Sequence, residues 1–519
     1  MQFSDECYKG NMSNSNNKRI AKNTFYISIQ SVISMLVSFY TSRIILSSLG
    51  VEDFGIYNVV GGIVSLFAFL NGAMANASQR YIAYEIGQGG KKITEIFSSC
   101  LLVHVFLACL IFILSETIGL YVLYNFLTIP QERIWAAGCV YQFSILSCLI
   151  MIVSCPFTGA LIAFERMEAY AYVGIVDISL RLAVAFVISM QPYDRLIVYA
   201  VLLLVVKIII RIYYTVYCRL KLKSIRFKFC WNKKIIKELL GFMGWTTFNN
   251  MSIIACTQGV NLVLNMFFNP IVNAARAVSV QVENATKMLS INFNLALNPQ
   301  IVKSYSKNDY DRFWGLIYRG SKFSFFILLV LAFPIVNHLP DLLTLWLGER
   351  MVPDYTVEFA EMLILIALVN ALSDPLITAV SSNGNIKWFQ IVSGLSLLMI
   401  LPISGCLYRF LHQPILIFVV YLFMSLLVYL YRLWYCRKLL DLNIKEYVKE
   451  VWKRALSMLV LAIVFHYAYV CYVQMSGLMM FMSMLIEFLI ILFFVLLIGL
   501  NREEIIMIYS YVKKFVRKN

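Results

Sequence analysis

Charge is scarce in this chain. Asp, Glu, Lys and Arg make up 14% of its 519 residues, against about 25% in a soluble domain, too little to cover a water-soluble core. Histidine is scarcer, with single copies at His104, His338, His412 and His466, and the twelve cysteines include no CxxC pair. Neither set has the spacing of metal ligands or of a disulfide framework. Cysteines such as Cys100, Cys109, Cys148 and Cys256 lie inside apolar stretches, where a thiol packs as a small hydrophobe. No GxxxxGK[ST] loop is present, hence no sequence sign of ATP hydrolysis. No Ser/His/Asp constellation can be assembled, so the chain is read as a non-enzyme with no metal or cofactor.

What is abundant is apolar: 61% of residues are hydrophobic and 15% aromatic. A membrane helix needs about 20 apolar residues. Windows of that kind run over 24–49, 55–84, 95–124, 134–163, 169–190, 193–218, 239–268, 271–302, 313–339, 356–381, 388–408, 413–436, 450–473 and 477–499. The expected fold is all-α integral membrane, with about 14 transmembrane helices. The first 23 residues are polar and Asn-rich, with no apolar core followed by a small-residue cleavage site, and read as a cytoplasmic tail.

Lys and Arg are retained on the cytoplasmic side during insertion. With the N-terminus inside, the inside segments carry Lys18, Arg19 and Lys22, then Lys91 and Lys92, Arg166, the basic run from Arg219 to Lys237, Lys303, Lys307 and Arg312, Lys387, Arg437 through Arg454, and the tail. Outside, only Arg133, Arg195, Arg350 and Arg409 remain. Both termini are therefore expected in the cytoplasm. The net charge of +16 needs no nucleic acid, because basic loops lie naturally beside anionic membrane lipids.

The layout repeats. SLGVEDFGIYNVVGG joins the first two spans as FFNPIVNAARAVSVQV joins the seventh and eighth, and Gly50 and Asn269 hold matching places, an offset of about 219 residues. A polar cluster (Ser78, Gln79, Arg80; then Asn298, Pro299, Gln300) and a Lys-bearing loop follow in each half. A repeat of six spans places both halves in the same orientation, a symmetry suited to alternating access. The expected organisation is a tail over 1–23, six-helix bundles over 24–218 and 239–436, a basic linker over 219–238, a loop and additional helix pair over 437–499, and a basic tail over 500–519.

The strings LGVEDFGIYNVVGGIVSLFAFLNGAM with Gln79-Arg80, NLVLNMFFNPIVNAARAVSVQVENA and NPQIVKSYSKND resemble the bacterial oligosaccharide flippase branch of the MOP superfamily, the multidrug, oligosaccharidyl-lipid and polysaccharide exporters. The resemblance implies a V-shaped, MATE-like pair of bundles in the bacterial inner membrane. It implies as substrate an undecaprenyl-pyrophosphate-linked oligosaccharide, an O-antigen, capsule or exopolysaccharide unit, and as pathway partners a polysaccharide polymerase and glycosyltransferases. The chain is expected to be a monomer. Multidrug members typically have twelve spans and lipid-linked sugar exporters often fourteen, so the additional pair favours the sugar branch.

An ionised group near the bilayer centre costs about 2.5–3.5 kcal/mol on insertion scales and usually faces a bundle interior or a wet cavity. Arg43, Arg80, Asp177, Arg181, Lys207, Arg211, Arg276, Glu283, Lys287 and Asp374 all fall inside windows. Basic groups dominate, as a phosphate-binding cavity requires. Arg43, Arg80, Arg181, Arg276 and Lys287 are the candidate substrate-binding residues; Asp177, Glu283 and Asp374 are candidates for coupling to H⁺ or Na⁺. Plainer readings stand beside them. Asp177 and Arg181, four residues apart, can neutralise one another; Lys207 and Arg211 can snorkel; Arg80 can anchor topology; Asp374, before Pro375, can cap a broken helix. Arg276, Glu283 and Lys287, at steps of seven and four, share one helical face.

Two rivals of the same fold are a multidrug/cation antiporter, expected to carry an acidic cavity, and a flippase for the peptidoglycan lipid precursor, which the sequence leaves open. A membrane glycosyltransferase or polymerase would need a large outside loop or a catalytic carboxylate motif. The longest outside loop here, Leu339 to Tyr355, is short and mostly apolar.

Overall fold

The computed structural model describes residues 2–65, 68–125, 129–190, 192–268, 270–348, 352–472, 478–501 and 504–505. Asn269, Arg350 and most of the basic tail over 500–519 therefore lie outside the described residues. Among those described the chain is helical, with no strand. Among the described residues ten helices are long and apolar enough to cross a membrane, and large apolar side chains such as Phe106 (64% exposed) and Leu485 (59%) stay uncovered by protein. Such a surface is unsuited to water and suited to lipid. The protein is a multi-pass membrane protein.

By contact the chain divides into two compact units, one of Asn23–Met251 with Tyr305–Asn308, the other of Met1–Lys22, Ser252–Ser304 and Asp309–Asn519. The first unit contains α2 (Ala68–Gly87), α3 (Ile93–Leu114), α4 (Leu120–Asn125), α5 (Ile134–Ala163), α6 (Met167–Ser189) and α7 (Arg195–Lys221), and most of α1 (Gln2–Ser65). α1 is broken at Gly50 (φ 80, ψ 169), a left-handed backbone that glycine adopts without steric cost. α5 is central, packing on α2, α3, α6 and α7. Gly159 is where α5 meets α2, for a Cβ there would stand 2.9 Å from the Gln79 backbone nitrogen. Small residues at such crossings let membrane helices approach closely. At one end, Arg133 clasps Asp53 (2.5 Å) and Asp194 (2.7 Å), and Asp194 also caps α7 by accepting from the amide of Leu196.

The basic stretch between α7 and α8 (Lys233–Phe267) is a non-helical segment that opens with a turn and is tied to α3. Thr94 Oγ1 donates to the Ser224 carbonyl (2.8 Å), Lys228 N to Ser98 Oγ (3.0 Å), and Asn232 Nδ2 to Glu95 Oε1 (2.7 Å). Asn232 Oδ1 accepts from Lys234 N and Ile235 N, capping α8. The change of unit falls within α8.

The second unit contains α9 (Pro270–Ser306), α10 (Tyr310–Asn337), the short α11 (Leu339–Leu347), α12 (Thr356–Asn383), α13 (Lys387–Tyr408), α14 (Leu416–Leu440), α15 (Ile444–Tyr447), α16 (Lys453–Tyr472) and α17 (Leu478–Phe494). α12 packs on α10 and α14, and α13 on α14, as α5 packs on α3 and α7, and α6 on α7. The sequence repeat is thus a repeat of packing. The additional pair, α16 and α17, docks on α10, where Phe326, Leu329, Met458 and Ile491 share one core.

Of the fourteen expected spans, α8 and α9 fall outside the ten. Both are helical, but their apolar runs are broken by Asn249, Asn250, Thr257, Gln258 and Asn261 in α8, and by Asn273, Arg276, Gln281, Glu283 and Lys287 in α9. The other two windows, 55–84 and 450–473, include or adjoin residues outside the described set.

Candidate polar sites within the two units

In the first unit the structure gathers Asp177, Arg181 and Lys207. Arg181 Nε donates to Asp177 Oδ2 (3.0 Å) and Lys207 Nζ to Asp177 Oδ1 (3.3 Å). Lys207 thus turns to α6 instead of snorkelling. Asp177 lines two cavities, each of about 330 Å³. The first is faced by Gln30, Ser34, Ser38, Thr41 and Ser42 of α1 and by Arg181 and Tyr199; the second by Gln30, Thr158, Tyr170, Lys207 and Tyr214. The α1 residues recur at helical spacing, so one face presents a ladder of hydroxyls. Gly174, one turn before Asp177, leaves the space that Gln30 fills, since a Cβ there would meet Gln30 Nε2 at 2.6 Å.

The remaining basic candidates of this unit stand differently. Arg211, one turn along α7 from Lys207, lies 4.1 Å from the Phe157 ring centroid, and its buried Nη1 has no hydrogen-bond partner. Arg80 is seated among aromatic rings, 4.4 Å from Tyr81, 5.5 Å from Tyr84 and 5.4 Å from Phe242, a cation–π arrangement. Arg43 is exposed. Neither Arg80 nor Arg43 lines the two cavities.

In the second unit the expected face of α9 divides. Arg276 is buried and turns to α8, where Nη2 donates to the Thr257 carbonyl (3.0 Å) and Nη1 to Asn261 Oδ1, leaving Nε without a partner. Lys287 Nζ donates to Glu283 Oε1 at 2.8 Å, with a third of the lysine side chain exposed. Asp374 of α12 lies within electrostatic range of Lys287 and of Arg432 from α14. Arg432 Nη1 donates to Ser373 Oγ (2.6 Å), and its Nε is buried without a partner. The geometric pairs are thus Lys287 with Glu283 and Arg432 with Ser373, the residue beside Asp374.

Sequence reasoning missed Arg432, although it lies inside the 413–436 window and the rule used for the others would have found it. It also missed two buried clusters that fasten the additional helix pair. Lys322 of α10 donates to Glu504 (2.6 Å), both almost wholly buried. Glu487 of α17 accepts from Asn337, His338 and Ser483. Cys100, Cys109, Cys139, Cys148, Cys218, Cys230, Cys256, Cys406 and Cys436 form no disulfide.

Comparisons with known proteins accord with this architecture. Residues 20–276 match the family described as "Polysaccharide biosynthesis protein". No curated protein matches by sequence. Among solved structures, an outward-facing multidrug resistance MATE transporter of the MOP superfamily superposes with a TM-score of 0.70 at 12% identity, covering 82% of this chain and 95% of its own. A MATE transporter from Vibrio cholerae gives 0.66 at 14% identity, covering 82% and 98%. A MOP superfamily transporter from Pyrococcus furiosus, described as having a binding pocket of reverse polarity that suggests a different function, gives 0.65 at 14% identity, covering 80% and 95%. At such identities the likeness establishes the fold, and the sequence match points to a family over the first half of the chain. Residues 20–276, just under half of the chain, are thus similar to the polysaccharide biosynthesis family, and the chain has the fold of MOP superfamily transporters, which together support a membrane flippase or transporter.

Proposed function

We propose that this protein flips an undecaprenyl-pyrophosphate-linked oligosaccharide repeat unit across the bacterial inner membrane by alternating access. The observation that carries this reading is the character of the two cavities around Asp177. They combine an excess of positive charge, Arg181 and Lys207 against one carboxylate, with a ladder of hydroxyl and amide groups. Guanidinium and ammonium groups donate charge-assisted hydrogen bonds to pyrophosphate oxygens, while Ser, Thr, Gln and Tyr can exchange hydrogen bonds with sugar hydroxyls. Away from these cavities, Arg43 and Arg80 in the first unit and Arg276 and Lys287 in the second are proposed as further substrate-binding cations, each within its own unit, and Asp177, Glu283 and Asp374 are the proposed points of coupling to H⁺ or Na⁺. A cationic interior is the opposite of what a carrier of cationic drugs needs. The reverse pocket polarity described for the Pyrococcus furiosus relative is a precedent for such inversion on this fold.

The test is deletion of the gene in its host. Loss of surface polysaccharide, with lipid-linked repeat units accumulating toward the cytoplasm and unchanged resistance to cationic dyes, is expected. Normal polysaccharide with increased dye sensitivity would establish the multidrug alternative. Arrested peptidoglycan synthesis would point to the peptidoglycan precursor.

A further inference from the structure

α17 reads LMMFMSMLIEFLIILFF, and Glu487 is its only charged residue. Its carboxylate is buried, and three donors converge on it: Asn337 Nδ2 to Oε2 at 2.8 Å, and His338 Nε2 at 3.0 Å with Ser483 Oγ at 3.1 Å to Oε1. His466 of α16 completes the cluster through its Nδ1 contact with Asn337 Oδ1. The side-chain amide of Asn337 is thereby oriented, its oxygen toward His466 and its nitrogen toward Glu487. The two carboxylate oxygens have lone pairs enough to accept all three. A lone charge on a lipid-facing helix is costly, and pairing removes most of that cost. Of the described groups hydrogen-bonded to Glu487, only His338 can supply the compensating charge. The other ionic cluster on this helix pair, Lys322 and Arg319 with Glu504, adjoins the opposite end of α17, near Gly499 and Asn501. The sequence between α16 and α17, VQMSG, carries no charge.

We infer that Glu487, His338 and His466, joined through Asn337, form a proton-binding site that governs the docking of the additional helix pair on α10. One proton on His338 makes the site neutral and holds α17 to the end of α10. Its loss leaves Glu487 uncompensated, and a further proton on Glu487 removes one acceptor from its three donors. Either change loosens the clasp. α10 is bonded in turn to α9, through Ser324 Oγ to Asn294 Oδ1 (2.8 Å) and Ser290 Oγ to the Ser324 carbonyl (3.0 Å). The site is therefore one helix away from Arg276, Glu283 and Lys287. It requires no particular substrate.

The experiment uses the full-length protein in lipid nanodiscs, with infrared difference spectroscopy and direct measurement of proton uptake across steps of pH. The wild type is expected to show a protonated-carboxyl band that changes with pH and is lost in Glu487→Gln. Proton uptake over the same range should fall by about one per protein in the Glu487→Gln/His338→Gln double variant. That variant removes both charges together and so avoids leaving one buried alone. Glu504→Gln, in the other cluster, should keep the band. A spectrum of Glu487→Gln superimposable on that of the wild type, or undiminished uptake in the double variant, overturns the proposal whatever the transported substrate proves to be.

Discussion

Replacing Asp177 with Asn should destabilise the first unit more than removing either of its cationic partners. Asp177 holds Arg181 on one oxygen and Lys207 on the other, and about a quarter of the Asp177 and Lys207 side chains, with somewhat more of Arg181, is exposed. Breaking a fully buried pair costs about 3–5 kcal/mol, whereas an exposed pair is worth about 0–1 kcal/mol; this half-buried triad should lie between, near 2 kcal/mol. Lys207→Met leaves Asp177 paired with Arg181 and puts an apolar stem of similar length into the cavity that Ile210 and Tyr214 also line, so its cost should be about 0–1 kcal/mol. For a unit of roughly 200 residues, 1 kcal/mol moves the melting temperature by about 2–4 °C. Asp177→Asn is then expected to lower it by about 4–8 °C in detergent and Lys207→Met by about 0–4 °C, and the double variant should recover part of the difference because no lysine is left unpaired. Equal losses in the two single variants, or a double variant showing their simple sum, would refute the view that Asp177 serves two cations at once.

Gly159→Ala should cost about 1–3 kcal/mol by overpacking, because its Cβ meets α2 backbone. Gly405→Ala, with nothing within 4 Å, should instead stabilise by about 0.5–1 kcal/mol, and thermal unfolding of the two variants distinguishes close approach from helix propensity. Arg276→Gln and Lys287→Gln should sharply reduce flipping of labelled lipid-linked oligosaccharide in proteoliposomes, with Arg276→Lys retaining part of it and Glu283→Gln changing its dependence on pH or Na⁺; full activity in both Gln variants would make that face structural. Reporters fused after Lys228 and at the C-terminus should read cytoplasmic, and one near Asp194 extracytoplasmic. A cytoplasmic reading near Asp194 would overturn the order of the first spans.

Most of the helical layout was legible because long apolar runs admit few alternatives. The windows 134–163 and 356–381 correspond closely to Ile134–Ala163 and Thr356–Asn383, and the repeat read from Gly50 and its counterpart reappears as matching packing of α5 and α12. Pair partners were less legible. The link between Asp177 and Arg181 followed from their spacing, but Lys207 comes from another helix, and only the fold shows that α7 brings it to α6. Arg276 was placed on a face with Glu283 and Lys287 by periodicity alone. Its contacts with Asn261 and the Thr257 carbonyl belong to α8, whose register against α9 no one-dimensional pattern specifies.

The weakest spans in the sequence are among the most informative in the structure. α8 and α9 fall short as membrane helices by composition because Asn, Gln, Thr and ionised groups interrupt them. In a bilayer each such group must find a protein partner or water. Some are answered internally, as Asn261 is by Arg276 and Glu283 by Lys287. Others, including buried atoms of Asn249 and Asn273, have no hydrogen-bond partner. Polar groups kept at that cost along two adjoining helices are poor lipid ligands and poor packing residues. The remaining physical account is contact with water or a polar solute at some stage of transport.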